Sequence, residues 1–305
     1  HWCAHDWYRQ EGFDMKPLQL LAIVGAGLII CLEAARPAAY LEHRTLLAVG
    51  LILLAVLHGS LDQVLARYSL RRSGLSFIGC YLAAMALMGF LFWLIPTVAL
   101  ILFLLLSAYH FGEAEFDEDK THKAMDLLQV VARGGLFGIA PLLLHPTAVA
   151  GVLVAMGVTP RLPSAELGWT LFLGLFSLNF ALLLKEHPNS RLASIAQLCT
   201  LTLLFLVADP FIAFSVFFGL FHALTHLSQV ALRVSRKSGW RQLAKRALPI
   251  IIPTLIGVVG FGLWVNHVGV SDQVLAYLFI GLATLTLPHT FLVWRFNERS
   301  RSPSF

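Results

Sequence analysis

Apolar runs of roughly 20 residues follow one another down this chain, each long enough to cross the ~30 Å hydrocarbon layer of a bilayer as a helix. They fall near 18–35, 45–66, 75–95, 97–112, 124–144, 167–185, 192–208, 210–233, 247–267 and 273–294, with charge, proline and polar clusters between them. In hydrocarbon every backbone N–H and C=O needs an internal partner, and helices supply it within each run. The expected fold is therefore all-α, a polytopic transmembrane helix bundle of about ten spans. Charged residues make up 13% of the 305 residues, far below the roughly 25% of a soluble domain. No length remains for a second domain, so 15–305 is read as a single transmembrane catalytic domain. The polar residues 1–14, ahead of Met15-Lys16-Pro17, read as a tag or non-native leader. The stretch His145 to Glu166 is apolar but broken by Pro146, Gly151, Gly157, Pro160 and Pro163, and suits a half-helix, a surface segment or an eleventh span.

The net charge of +5 comes from lysines and arginines at the ends of apolar runs, where they set orientation rather than recognise nucleic acid. With ten spans and both termini cytoplasmic, seventeen basic residues lie inside and only Arg36, Arg44 and Arg161 outside. That asymmetry is what short cytoplasmic loops produce. The four cysteines, Cys3, Cys31, Cys80 and Cys199, have no paired spacing and predict neither a disulfide nor a thiolate metal site.

Within the run from Pro210 to Gln229, which carries no charge, stand His222 and His226. Residues four apart share one face of an α-helix, so both imidazoles can reach one ion. His58, His110 and His289 also interrupt apolar runs, each a few turns before the next basic cluster. At 1.5 Å per residue all five lie roughly 9–17 Å in from the cytoplasmic ends of their helices. Ligands drawn from facing helices of a bundle must converge at one height, as these do. The alternative is that each histidine separately bonds a carbonyl or borders water. An all-nitrogen site suits iron first, then copper or zinc, rather than magnesium or calcium. Asp62, four residues after His58, either orients a histidine or pairs with Arg67 or Arg71 at the helix end. Glu113 and Glu115 are either partners of the site or solvated loop residues. Gly59, Gly112 and Gly219 permit close helix approach. Phe211, Phe214, Phe217, Phe218 and Phe221 either line a hydrocarbon pocket or face lipid, and His122, His145, His187 and His267 receive no role.

Four ordered motifs, His58-Gly59-Ser60-Leu61-Asp62, Tyr109-His110-Phe111-Gly112, Phe218 through His226, and Leu287-Pro288-His289, together resemble the Brp/Blh family of membrane-bound β-carotene 15,15′-dioxygenases. The resemblance runs from Leu57 to about Trp294. It implies Fe(II) held by His58, His110, His222 and His226 as the metal and catalytic residues, with His289, Asp62 and Tyr109 as a fifth ligand, supporting groups or pocket. It also implies cleavage of the central double bond of β-carotene by dioxygen to two retinal molecules, in a multi-pass protein of the cell inner membrane, with a rhodopsin-type retinal acceptor as a partner. A hydrocarbon substrate dissolved in the lipid bilayer reaches such a site without entering water. Three rivals stand beside it. Membrane di-iron desaturases need about twice as many ligands, including H-x-x-H-H clusters that are missing here. A haem-binding electron carrier places its histidines in two layers. A transporter with a histidine proton relay predicts internal repeats and broken helices.

Overall fold

The structure, a computed structural model, describes residues 16–70, 75–114, 123–185 and 188–300. The leader, Arg71, Glu115, His122 and His187 lie outside them. Every regular element among the described residues is helical. In chain order these are α1 (Lys16–Ala35), α2 (Ala38–Val56), α3 (Asp62–Ser69), α4 (Leu75–Leu94), α5 (Pro96–Ala114), α6 (Lys123–Leu144), α7 (Pro146–Ala155), α8 (Ala165–Leu183), α9 (Pro188–Val207), α10 (Pro210–Val216), α11 (Leu224–Ser238), α12 (Trp240–Val268) and α13 (Asp272–Ser300). A 3₁₀ stretch, Leu57–Leu61, joins α2 to α3, and a π-helical stretch, Phe217–Ala223, joins α10 to α11.

Among the described residues eight helices are long and apolar enough to cross a membrane, and nine if the bent pair Val130–Leu144 and Pro146–Ala155 counts as one span. The ten apolar runs are all helical, but two fall short as independent spans. Arg191–Val207 belongs to the shorter apolar class, and α6 turns through 96° at His145 into α7. Pro146 explains the break: it starts α7 and pushes the preceding residue out of helical geometry. His145 stands at the corner and donates from Nε2 to the carbonyl of Phe205 at 2.8 Å. The half-helix expectation for 145–166 holds. At 10 residues α7 is too short for an eleventh span.

The second span begins at Ala38, before the expected 45, and so carries Arg44 within it. Arg44 lies 3.1 and 2.9 Å from the two carboxylate oxygens of buried Glu33, and the Tyr40 hydroxyl donates to the same group at 2.7 Å. A paired charge ends a helix much less readily than a free one.

Association of apolar helices in lipid rests on close packing rather than on burial from water. The most extensive contact joins α5 to α6. Here a Cβ on Gly112 would collide with the backbone of Val130, and one on Gly134 with the carbonyl of Ala108. The helices touch backbone to backbone at the level of His110. Asn179 ties α8 to α6 through the Ala132 carbonyl at 3.0 Å, and Gln19 bonds Gln197 at 2.8 Å between α1 and α9. α12 stands at the periphery, with only 6% of its apolar window buried, and contributes Ile250 and Thr254 to an internal cavity.

Candidate metal centre

The helices that carry histidines leave α geometry at the site itself. In the tightened 3₁₀ turn after α2, His58 Nδ1 donates to the carbonyl of Ala55, which fixes the ring and leaves Nε2 as its free lone pair. In the widened π turn after α10, His222 sits one residue from the end and His226 follows in the first turn of α11. Short 3₁₀ and π insertions of this kind concentrate at functional sites. His110 comes from the last turns of α5, and His289 from α13 just after Pro288.

All five histidines are buried, at 3–8% exposure. The His110 ring centroid lies 4.8, 5.2 and 4.7 Å from those of His222, His226 and His289, and His58 lies 5.3, 5.4 and 4.8 Å from the same three. Two trios, His58–His226–His289 and His58–His110–His222, each offer ligand nitrogens within 4.8 Å of one another. Nε2 of His289 and Nε2 of His110 are 3.1 Å apart. Nitrogens ~2.1 Å from one ion and at right angles about it would be about 3 Å apart. His222 Nε2 is buried with no hydrogen-bond partner among the described residues, a costly state that a metal ion relieves. The residues therefore fit a metal. Imidazole rings packed with centroids 4.7–5.4 Å apart leave no plane for a porphyrin between them, which speaks against the haem reading.

Asp62 is buried at 3% and accepts two hydrogen bonds, from His289 Nδ1 at 2.8 Å and from the Tyr81 hydroxyl at 2.7 Å. Of the two alternatives read from the sequence, the hydrogen bond to a histidine is present, while Arg67 is exposed and Arg71 lies outside the described residues. The histidine is His289 of another helix, not His58 one turn away. Bonded through Nδ1, His289 presents Nε2 to the cluster, which makes it part of the convergent set. Tyr81, on α4, was missed by sequence reasoning. Its only signal was a phenol in an apolar run, a group that finds a partner when buried.

Other expectations resolve unevenly. Tyr109 is half-buried and does not line the cavity beside the histidines. Glu113 is buried rather than solvated. A Cβ on Gly59 would meet only Asp62 Oδ2 at 3.9 Å, so no helix approaches there, whereas one on Gly219 would come 3.4 Å from the Leu51 carbonyl.

Beside the histidines lies a cavity of about 260 Å³, into which His58, His110, His222, His289, Asp62 and Tyr81 project. The rest of its wall is mostly apolar, with Phe77, Leu82, Met85, Phe103, Phe111, Phe214, Phe218, Leu282 and Leu285. The five phenylalanines from Phe211 to Phe221 are all buried rather than facing lipid. Phe218 stacks on His222 with centroids 5.7 Å apart, and Phe111 meets His222 edge-on at 4.5 Å. Nitrogen donors at one side of a mostly apolar pocket suit chemistry on an apolar molecule.

The sequence pattern of the family described as Beta-carotene 15,15′-dioxygenase matches residues 49–296. A Beta-carotene 15,15′-dioxygenase of uncultured marine bacterium 66A03 is 28% identical over 253 residues, covering 77% of this chain and 87% of that protein. No solved structure matches the chain.

Proposed function

This chain belongs to the β-carotene 15,15′-dioxygenase family and cleaves β-carotene, and we propose that it does so with an iron ion held by His58, His110, His222 and His226, joined by His289. The observation that carries this reading is the convergence of five buried imidazoles on one side of an apolar cavity inside the spans. Fe(II) bound there supplies activation of dioxygen, whose atoms end in two retinal molecules.

The chain's own residues do the rest. Ala55 and the Asp62–Tyr81 pair fix the rings of His58 and His289, so the donor set is formed before substrate arrives. Phe111, Phe214 and Phe218 exclude water and hold the polyene, and binding selects which double bond lies beside the histidines. No side chain is required as a general acid or base. In this reading the protein is a multi-pass component of the cell inner membrane. It takes β-carotene from the bilayer and releases retinal there to a rhodopsin-type acceptor.

The test is expression in cells that accumulate β-carotene, comparing the intact chain with His222→Ala, with iron measured on both purified proteins. The intact chain bleaches the cells, yields retinal and carries stoichiometric iron, while the variant does none of these. A folded intact chain that is free of iron yet yields retinal overturns the metal assignment.

A further inference from the structure

A symmetric carotenoid cut at its middle needs room for an arm on each side of the cut. The histidine cavity, at about 260 Å³, lies below the roughly 300–1,000 Å³ typical of pockets for drug-sized ligands. A second cavity of about 330 Å³ adjoins it, and Phe103, Ser107, Phe111 and Phe214 line both. It continues away from the histidines to Asp209 and Asp272, at the starts of α10 and α13. Asp209 precedes His222 by thirteen residues, about 20 Å at helical rise. Val149, Val152 and Leu153 of the bent-over α7, with Met156 just past its end, make one wall, which is why the corner at His145 matters to the site. Most of the lining is apolar. The polar side chains apart from the shared Ser107 are Thr45, Asp209, Ser271 and Asp272, and both aspartates are exposed.

We propose that this second cavity seats one arm and terminal ring of the carotenoid, and that its polar mouth also accepts a ring bearing a hydroxyl group. The inference rests on carotenoid cleavage at the histidine cluster. The other arm lies toward the lipid-facing side, past Leu82 and Met85 of α4 and Ile250 and Thr254 of α12. Phe103, Ser107, Phe111 and Phe214 stand between the two spaces. The aspartates accept a hydrogen bond from a ring hydroxyl. One carboxylate oxygen of Asp209 already caps the N–H of Phe211 at 2.9 Å, which holds the group at the mouth.

The experiment uses the purified, iron-loaded full chain and three substrates: β-carotene, its monohydroxylated counterpart, and an apocarotenal that keeps the central double bond but has lost one ring and part of that arm. Val152 lines the second cavity and not the first, so Val152→Trp plugs the former and leaves the histidines alone. The variant keeps its iron, loses about tenfold or more in kcat/KM for β-carotene, and cleaves the truncated substrate as the parent chain does. Val149→Phe, a smaller plug, shows the same pattern to a lesser degree and serves if the tryptophan prevents folding. Equal losses on both substrates with iron retained, or no loss on either, overturns the arm seat. Asp272→Leu then lowers the ratio of hydroxylated to plain substrate cleaved by about threefold or more, the effect of leaving a polar group unpaired. An unchanged ratio overturns the hydroxyl assignment. Failure of the parent chain to cleave any of the three indicts the underlying reaction instead.

Discussion

Asp62→Asn changes one atom of the carboxylate and nothing of its shape, and its consequence can be worked from two hydrogen bonds. Both neighbours of the carboxylate donate, Tyr81 through its hydroxyl and His289 through Nδ1. Asparagine offers one acceptor and one NH₂, so one of the two donors meets another donor. If the amide oxygen turns to Tyr81, His289 must move its proton to Nε2 to accept from the NH₂, and Nε2 is then lost as a ligand. If the oxygen stays with His289, the Tyr81 hydroxyl rotates to accept, and the geometry survives without the charge. The second arrangement is the cheaper. It replaces a charge-assisted bond of about 1.5–3 kcal/mol with a neutral one of about 0.5–1.5 kcal/mol, a deficit of about 1–1.5 kcal/mol. That is about tenfold in iron affinity, within the 10–100-fold range of such supporting groups. Asp62→Leu removes both acceptors and belongs at the upper end, about 100-fold. Titration of the apoprotein with Fe(II) against a competing chelator reads both numbers. Wild-type affinity in both variants would refute the idea that Asp62 acts through the metal.

Tyr81→Phe, which leaves the carboxylate one donor short, weakens iron binding about threefold to tenfold by the same titration. Gly112→Leu drives a side chain into the backbone of Val130 and separates α5 from α6, so His110 leaves the cluster and both iron and retinal formation are lost while helical circular dichroism persists. Arg44→Leu strands buried Glu33 and lowers stability by about 3–5 kcal/mol, whereas Glu33→Leu with Arg44→Leu recovers most of it, both measured as Tm in detergent. A chelator abolishes retinal formation, and Fe(II) restores it while Mg²⁺ does not, because imidazole donors do not suit magnesium.

The residues that the sequence exposed are those whose chemistry is out of place. Five histidines in apolar runs have few bland explanations, and their distance from the basic helix ends put them at one depth before any contact was known. Pro146 and the glycines and prolines after it likewise announced the break at His145. What stayed hidden depends on partners that no local pattern encodes. Tyr81 meets Asp62 across nineteen residues, and nothing in α4 distinguishes this tyrosine from an ordinary aromatic. Asp62 reads from the sequence as a neighbour of His58, whereas its histidine partner is His289, since a single helix shows only its own face. Arg44 reads as the boundary of a span because its neutralising partner belongs to α1. The 3₁₀ and π turns were invisible for a different reason. The preference for α geometry is local, and the packing that overrides it is not.

In crystallographic language the π turn at Phe217–Ala223 is a dislocation, a place where one extra residue is absorbed without turning the segments on either side of it. Winding those seven residues as regular α-helix, with none removed, would turn α10 by about 100° relative to the histidines that follow. His222 and His226 keep their spacing, but Phe211 and Phe214 rotate off the cavity wall toward lipid. Such a chain would hold iron and yet be blind to carotenoid. The wider turn thus keeps in register two sequence segments under separate demands, one to ligate and one to bind.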